Sequence, residues 1–351
     1  MKIAVISSDP SVRGGIQRYT AELIGALESK KDARIATYFF TKKSELSKAV
    51  FAIKTLISIY FQRPDVILCA HIQYVQVCIL AKRLFGIPYA LFCYGIEVWD
   101  KSRNITHRVL FEQATLLIAI SPYTRDQITE GLPQEEKKIR IISPCVDDER
   151  FVLRESSRKD LPNGIGRKHP LILSVCRLSA SERYKGYDDV LSALPRVLEH
   201  FPTAVYVIVG SGDDLKRVRA RIVNEGLSNH VILADDIADD DLPHVYTACD
   251  VFCMPSREEG FGIVFLEAIC SGKPVIAARS AGAVHALLAG AAGELIEPGE
   301  TEELATCLIK TLDGGHGRDP MSVRRLIVDA FGRRAFRLAV HTLLDEFKGM
   351  R

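Results

Sequence analysis

Residues 255–274 read PSREEGFGIVFLEAICSGKP, and their reading decides the fold. A β-rich run at 250–254 (DVFCM) feeds this stretch, and a second at 274–278 (PVIAA) leaves it. Between them lie a polar loop, the glycines Gly260 and Gly262, and an apolar run. Ile263, Leu266, Ile269 and Cys270 recur at helical spacing, and Gly272 supplies a stop. The unit is therefore strand, loop, helix, strand. The glycines let the amides of Phe261, Gly262 and Ile263 approach a ligand at a helix N-terminus, whose partial positive charge suits a phosphate. Glu259 in the loop and Glu267 in the helix are acceptors suited to vicinal hydroxyls. A ligand with both phosphates and sugar hydroxyls fits this set.

Outward from that stretch, apolar runs and amphipathic segments alternate along the chain. Upstream strands are expected at 2–7, 34–41, 65–70, 88–94, 115–121 and 138–143. Helices are expected at 16–28, 44–61, 74–85, 105–113 and 122–130. Such alternation predicts a parallel sheet wrapped by helices, with ligands at the carboxyl ends of the strands. Gly14-Gly15, His71, Tyr94-Gly95-Ile96-Glu97 and Ser121 fall at such ends. The polar stretch 153–168 reads as a linker. A second series follows: strand 170–177, a helix to His200 that Pro195 should kink, strand 204–209, helix 214–226 and strand 231–234. Arg177 and Lys185 flank one strand-to-helix loop, so both can reach one diphosphate. The charges of helix 214–226 read as a solvated face, and Asp239-Asp240-Asp241 as a helix cap, not a metal ligand set. Downstream come a strand at 294–297, a helix at 302–312 and a helical segment 321–347 broken at Phe331-Gly332.

With 351 residues the chain is long enough for two domains, and a net charge of +2 gives no reason to expect a nucleic acid partner. The dinucleotide fingerprint G-x-G-x-x-G is absent from the first strand-helix turn, which argues against an NAD enzyme. Nine scattered cysteines with no C-x-x-C pair point to reduced thiols in a cytosol. MKIAVISSDP reads as a first strand, not a signal peptide, and no apolar run is long enough to span a bilayer. Segment 42–63 stands apart. It carries Lys42, Lys43, Lys48, Lys54 and Arg63 against the single acid Glu45, with more apolar residues than one core-facing stripe needs. Two readings stay open: a domain helix with a wide buried face, or a helix lying on the anionic cytoplasmic face of a membrane.

Taken together, Glu259-x7-Glu267 in the context S-R-E-E-G-F-G-I-V-F-L-E-A resembles the retaining glycosyltransferases of the GT-B fold, specifically glycosyltransferase family 4, also described as glycosyl transferases group 1. The resemblance covers the whole chain, with its most specific motifs in the second half. It implies an α/β architecture of two Rossmann-like parallel-sheet domains facing across a cleft. The first would occupy 1–152 and take the acceptor, and the second 169–320 and take the nucleotide sugar. The segment 321–351 would cross back to the first. By resemblance Glu259 sits by the donor sugar, Glu267 binds the ribose, and Gly14-Gly15 face the donor diphosphate and the acceptor. Arg177-Leu178…Lys185-Gly186 matches a G-R-L…K-G signature, with Cys176 in the place of glycine. Ile237 sits where a backbone holds the nucleotide base, with Asp235 replacing a common glycine. Ser280–Ala283 resembles a small-residue loop near the donor, and 143–147 with Phe151 resembles P-N-G-V-D…F with Cys145 for glycine. The turn from Tyr94 to Glu97 matches His-Gly-x-Asp/Glu, but Tyr94 stands where the family has histidine. His71 and Glu97 are then the acceptor-side residues.

The implied reaction moves a sugar from a nucleotide diphosphate sugar to a glycan, lipid-linked or polysaccharide acceptor, with no cofactor and no metal. Its catalytic set is Glu259, Arg177, Lys185 and Tyr94. Two alternatives are a nucleotide-sugar epimerase of the same fold, and a non-catalytic nucleotide-sugar-binding subunit. The sequence around Glu259-x7-Glu267 favours a transferase over the first, and Tyr94 is what keeps the second open.

Overall fold

The computed structural model describes residues 1–10, 14–41, 45–95, 98–99, 105–154, 170–235 and 237–350. Two units emerge: Met1–Cys145 with Arg333–Arg351, and Val146–Gly332.

The first unit alternates strand and helix. The strands are β1 (Lys2–Ser8), β2 (Arg34–Phe40), β3 (Val66–Cys69), β4 (Tyr89–Cys93), β5 (Leu116–Ala119) and β6 (Ile139–Ile141). The helices between them are α1 (Gly15–Glu28), α2 (Glu45–Gln62), α3 (Val75–Phe85), α4 (Ile105–Glu112) and α5 (Pro122–Gly131). The sheet is parallel, in the order β2-β1-β3-β4-β5-β6. Helices on both faces bury the inner strands completely, which is why VILC, YALFC and LLIA read as unbroken apolar runs.

The second unit repeats the plan. Its strands are β7 (Leu171–Val175), β8 (Val205–Val209), β9 (Val231–Ala234), β10 (Val251–Met254), β11 (Val275–Ala278) and β12 (Glu294–Ile296). Its helices are α6 (Tyr187–His200), α7 (Leu215–Asn224), α8 (Leu242–Ala248), α9 (Ile263–Cys270), α10 (Ala281–Ala286), α11 (Thr301–Leu312) and α12 (Pro320–Phe331). The order is β12-β11-β10-β7-β8-β9, again all parallel. From β7 the chain runs outward to β8 and β9. It then returns to the other side of β7 and runs out through β10, β11 and β12. The switch point lies between β7 and β10, and in such sheets ligands bind beyond the strand ends at that place.

Gly332 separates α12 from α13 (Arg333–Gly349). Within the second unit α12 packs on α9, and within the first α13 packs on α1. Tyr19 of α1 meets Phe336 of α13 edge-on, and Arg333–Glu22, Arg140–Glu346 and Lys30–Asp345 ion pairs surround that contact.

Pro195 lies inside α6, which continues as one element from Tyr187 to His200. The proline is exposed, and the buried face of Val190, Leu191, Leu194 and Val197 holds the helix together. One expectation is corrected: helix α7 is not merely solvated. Arg217 and Arg221 form an ion-pair network with Asp188 of α6 and the buried Asp214. The Asp239–Asp241 cluster lies at the expected helix start: Asp241 takes the N-cap position of α8, without a side-chain cap bond, and Asp239 pairs with Arg150 at 2.9 Å. The expected linker from 155 onward, with Lys42, Lys43 and Glu97, lies outside the described residues.

Candidate active site

At the β7–β10 switch point two loops meet. The loop after β10 carries Glu259, and the loop after β7 carries Arg177 and Lys185. Backbone bonds fix both. The Arg257 amide donates to the Tyr184 carbonyl at 2.8 Å, and the Gly282 amide donates to the Glu259 carbonyl at 3.0 Å. The Ser280 hydroxyl donates to the Ser256 carbonyl at 2.6 Å. At Gly282 a Cβ would overlap the Glu259 carbonyl oxygen and backbone atoms of Gly260 and Phe261, so that position must be glycine. Gly186, at φ +81°, lies against the Pro255 carbonyl with no room for a Cβ. This close approach brings Lys185 beside Glu259.

Lys185 Nζ donates to Glu259 Oε2 at 2.7 Å, and the two side chains are 17% and 12% exposed. Burial alone would lower the Lys185 pKa. The Glu259 carboxylate, by charge and by hydrogen bond, more than offsets this and holds the ammonium above its ordinary value. Burial pushes the adjacent Cys176 thiol up to about 12, so it is not a thiolate nucleophile at neutral pH. Arg177 is 69% exposed, and its guanidinium lies 3.2 Å from Glu182. So open a pair contributes little to stability, and a ligand can take the guanidinium over. The turn after β8 braces this loop. Asp213 accepts from the Ala180 amide at 2.8 Å, and Asp214 accepts from Arg183 at 2.8 Å and from the Tyr187 hydroxyl at 2.7 Å. Hydrogen bonds from Arg217 and Arg183 hold the Asp214 carboxyl far below the usual carboxylate range.

Helix α9 begins at Ile263 with Gly262 as its N-cap, so the amides of 261–263 lie at the positive end of a buried helix. Phe261 is buried, its ring edge-on to His285 of α10 and Phe331 of α12. Glu267, one turn into α9, is also buried and accepts a 2.8 Å bond from the Tyr246 hydroxyl of α8. Tyr246 is fixed in turn by the rings of Phe151 and Phe252. Ile237 is buried just beyond β9, two residues before the Arg150–Asp239 pair.

The remaining candidates belong to the first unit. Its strand order changes direction between β1 and β3, and Gly14-Gly15 and His71 follow those two strands. Gly14 is the N-cap of α1 and Gly15 its first residue. His71 caps the short turn at Ile72–Tyr74, its Nδ1 accepting from the Gln73 amide at 3.2 Å. That bond leaves the proton on Nε2. Tyr94 follows β4, buried, with its ring edge-on to Tyr19 at 5.2 Å. Glu97 lies outside the described residues. The structure therefore gathers Arg177, Lys185, Glu259 and the 261–263 amides at one switch point, with Glu267 and Ile237 in the same unit. It places Gly14, Gly15, His71 and Tyr94 in the other. Sequence reasoning missed Tyr246, His285 and the Asp213-Asp214 brace. No pattern marks a tyrosine 21 positions before the glutamate it touches. Among the described residues no three metal-capable side chains cluster, and no helix is long and apolar enough to cross a membrane.

Two parallel-sheet units, each with polar groups at its switch point, define the GT-B class of glycosyltransferase architecture. Crystalline HepE of Anabaena in complex with UDP-glucose shares the fold at a TM-score of 0.82. Its identity is 20%, over 99% of this chain and all of that one. Residues 13–150 match the model of glycosyltransferase family 4, and residues 156–324 match that of glycosyl transferases group 1. The chain belongs to this family. Among curated relatives, mannosylfructose-phosphate synthase of Agrobacterium fabrum is 27% identical over 62% of this chain, which spans only 49% of that protein. A GDP-mannose-dependent alpha-(1-6)-phosphatidylinositol monomannoside mannosyltransferase of Mycobacterium tuberculosis is 27% identical over 89% of each chain.

Proposed function

We propose that this glycosyltransferase takes a nucleotide diphosphate sugar as donor and transfers the sugar with retention of anomeric configuration, without a metal. The observation that carries the reading is the Lys185–Glu259 pair beside the N-terminus of α9. In this reading the donor diphosphate lies against the 261–263 amides, Lys185 and Arg177. Glu259 accepts from sugar hydroxyls and Glu267 from the ribose. As the bond between the anomeric carbon and the phosphate oxygen breaks, negative charge grows on the diphosphate. Two side-chain cations and a helix N-terminus stabilise it where a metal otherwise could. The acceptor oxygen bonds the anomeric carbon on the face the phosphate leaves, and the departing phosphate oxygen takes its proton. Tyr94 acts by positioning, through a hydroxyl that can hydrogen-bond as an imidazole does. His71 and Glu97 are the acceptor-side contacts. The name of the GDP-mannose-dependent mannosyltransferase relative supports a nucleotide-activated hexose and a lipid-linked acceptor.

The test is a panel of UDP- and GDP-sugars with oligosaccharide and glycolipid acceptors in EDTA, products read by proton NMR at the anomeric position. Expected is one donor giving a product of the donor's own anomeric configuration. An inverted product, or activity that EDTA abolishes and magnesium restores, contradicts the reading. A parallel arm with donor alone separates the alternatives: a changed sugar means an epimerase. Binding without any conversion in either arm means a non-catalytic subunit.

A further inference from the structure

Helix α2 is apolar on both sides. Its inward face supplies Thr55 and Ile59, fully buried, with Phe51, Ala52 and Leu56 packed on the core. Its outward face presents Val50, Ile53, Ile57, Tyr60 and Phe61, each between 43% and 77% exposed. At about 100° per residue these five positions form one stripe along the helix. The neighbouring α3 exposes Leu80 and Leu84. A core-facing helix needs one apolar face; this one carries a second, which is bare. Apolar surface of this extent marks a contact with something else.

The charge around the stripe identifies that partner. From 46 to 62 and through all of α3 the sequence contains no acid, while Lys54, Arg63 and Arg83 are exposed there. The Arg63 guanidinium lies 5.0 Å from the Tyr60 ring centroid and 5.5 Å from that of Phe85, at the edge of the stripe. Arg63 also lines a groove of about 520 Å³ with Lys2, Lys31 and Arg34, against Asp32 and Asp65. A second copy of the chain, docked by a two-fold axis, would set this cationic surface against itself. An anionic lipid surface complements it: acyl chains for the stripe, headgroup phosphates for the cations. We propose that α2 and the adjoining edge of α3 dock the protein on an anionic bilayer surface. This inference stands apart from the transfer chemistry.

The experiment is sedimentation of the intact protein with vesicles of phosphatidylcholine alone or mixed equally with phosphatidylglycerol. Expected is binding to the mixed vesicles at low salt, weakened at about 0.5 M NaCl. Lys54→Glu with Arg63→Glu should reduce it by about tenfold or more. Ile57→Ser with Phe61→Ser should reduce it comparably at unchanged thermal stability, since both residues are exposed. The inference is overturned if wild type ignores the mixed vesicles, binds both kinds equally, or is matched by either double variant. Light scattering that shows a dimer dissociated by the Ile57/Phe61 variant assigns the face to a second copy and equally overturns it.

Discussion

Lys185 and Glu259 each neutralise a charge that is expensive to leave alone, so neither can be judged without the other. The raised Lys185 pKa fixes the sign of its pH dependence. The pair's contribution is fully present below the ordinary lysine value and is lost only as pH rises through the still higher folded value. Activity near neutrality therefore owes none of its pH profile to Lys185. In the proposed reaction, removing the ammonium takes a stabilising positive charge away from beside the leaving diphosphate. Lys185→Ala and Glu259→Ala should each lower turnover on the order of 100-fold or more at saturating donor, with folding checked by circular dichroism. Tyr94→Phe loses one positioned hydrogen bond and should cost roughly 10-fold. If Tyr94→Phe proves as inactive as Lys185→Ala, the phenol takes part in the chemistry and the positioning role is wrong. Tyr246 makes a different demand. Its hydroxyl holds a carboxylate that is expected to grip the ribose, far from the bond that breaks. Tyr246→Phe should raise the donor KM by about 10-fold and leave kcat nearly unchanged, since the ribose contact is the same in ground and transition states. A fall in kcat at constant KM contradicts that assignment.

Among the elements, α9 was the most legible. Its start at Ile263 follows from the glycines and its end from Gly272, because local backbone rules decide both. The inner strands were legible for the same kind of reason: burial on both faces leaves no polar residue to disguise them. Two features were not, since both depend on what lies across space. The arginines of α7 look solvated until Asp188 and Asp214 are placed beside them. Helix α2 shows too many apolar residues in sequence, but only the fold reveals which of them face outward. His285 in α10 belongs to this scale as well. Its ring, half-buried against Phe261 and Phe331, has its pKa lowered by burial. The unfolded chain therefore binds a proton more readily. Stability is unaffected above the ordinary value of 6.5 and falls as pH drops from there toward the lower folded value. Thermal melts from pH 8 to 5 should show wild type losing more stability than His285→Phe over that window. Parallel curves for the two proteins would remove His285 from the account.

At the scale of the molecule, the repeated six-stranded plan assigns tasks by topology. The second unit's switch point gathers the two cations, the helix N-terminus and Glu259, with Glu267 buried one turn into that helix, while the first unit's strand ends carry His71 and Tyr94. The strand-helix alternation led to a parallel sheet wrapped by helices, because alternation is a property of the whole chain; its division into two sheets came from the family resemblance. The departures from family pattern at Tyr94, Cys145 and Cys176 were equally visible, but what surrounds each was not. The Tyr19 ring edge-on to Tyr94 and a thiol shielded beside Lys185 are facts of packing. The central claim is that this one switch point binds a nucleotide diphosphate with protein cations alone. Isothermal titration of UDP and of GDP in EDTA, into wild type and Lys185→Ala, tests it most directly. One of the two nucleotides should bind wild type, and Lys185→Ala should weaken it by about tenfold or more, the loss of one charge-assisted contact. Binding that appears only when magnesium is added, or that Lys185→Ala leaves unchanged, would contradict the claim.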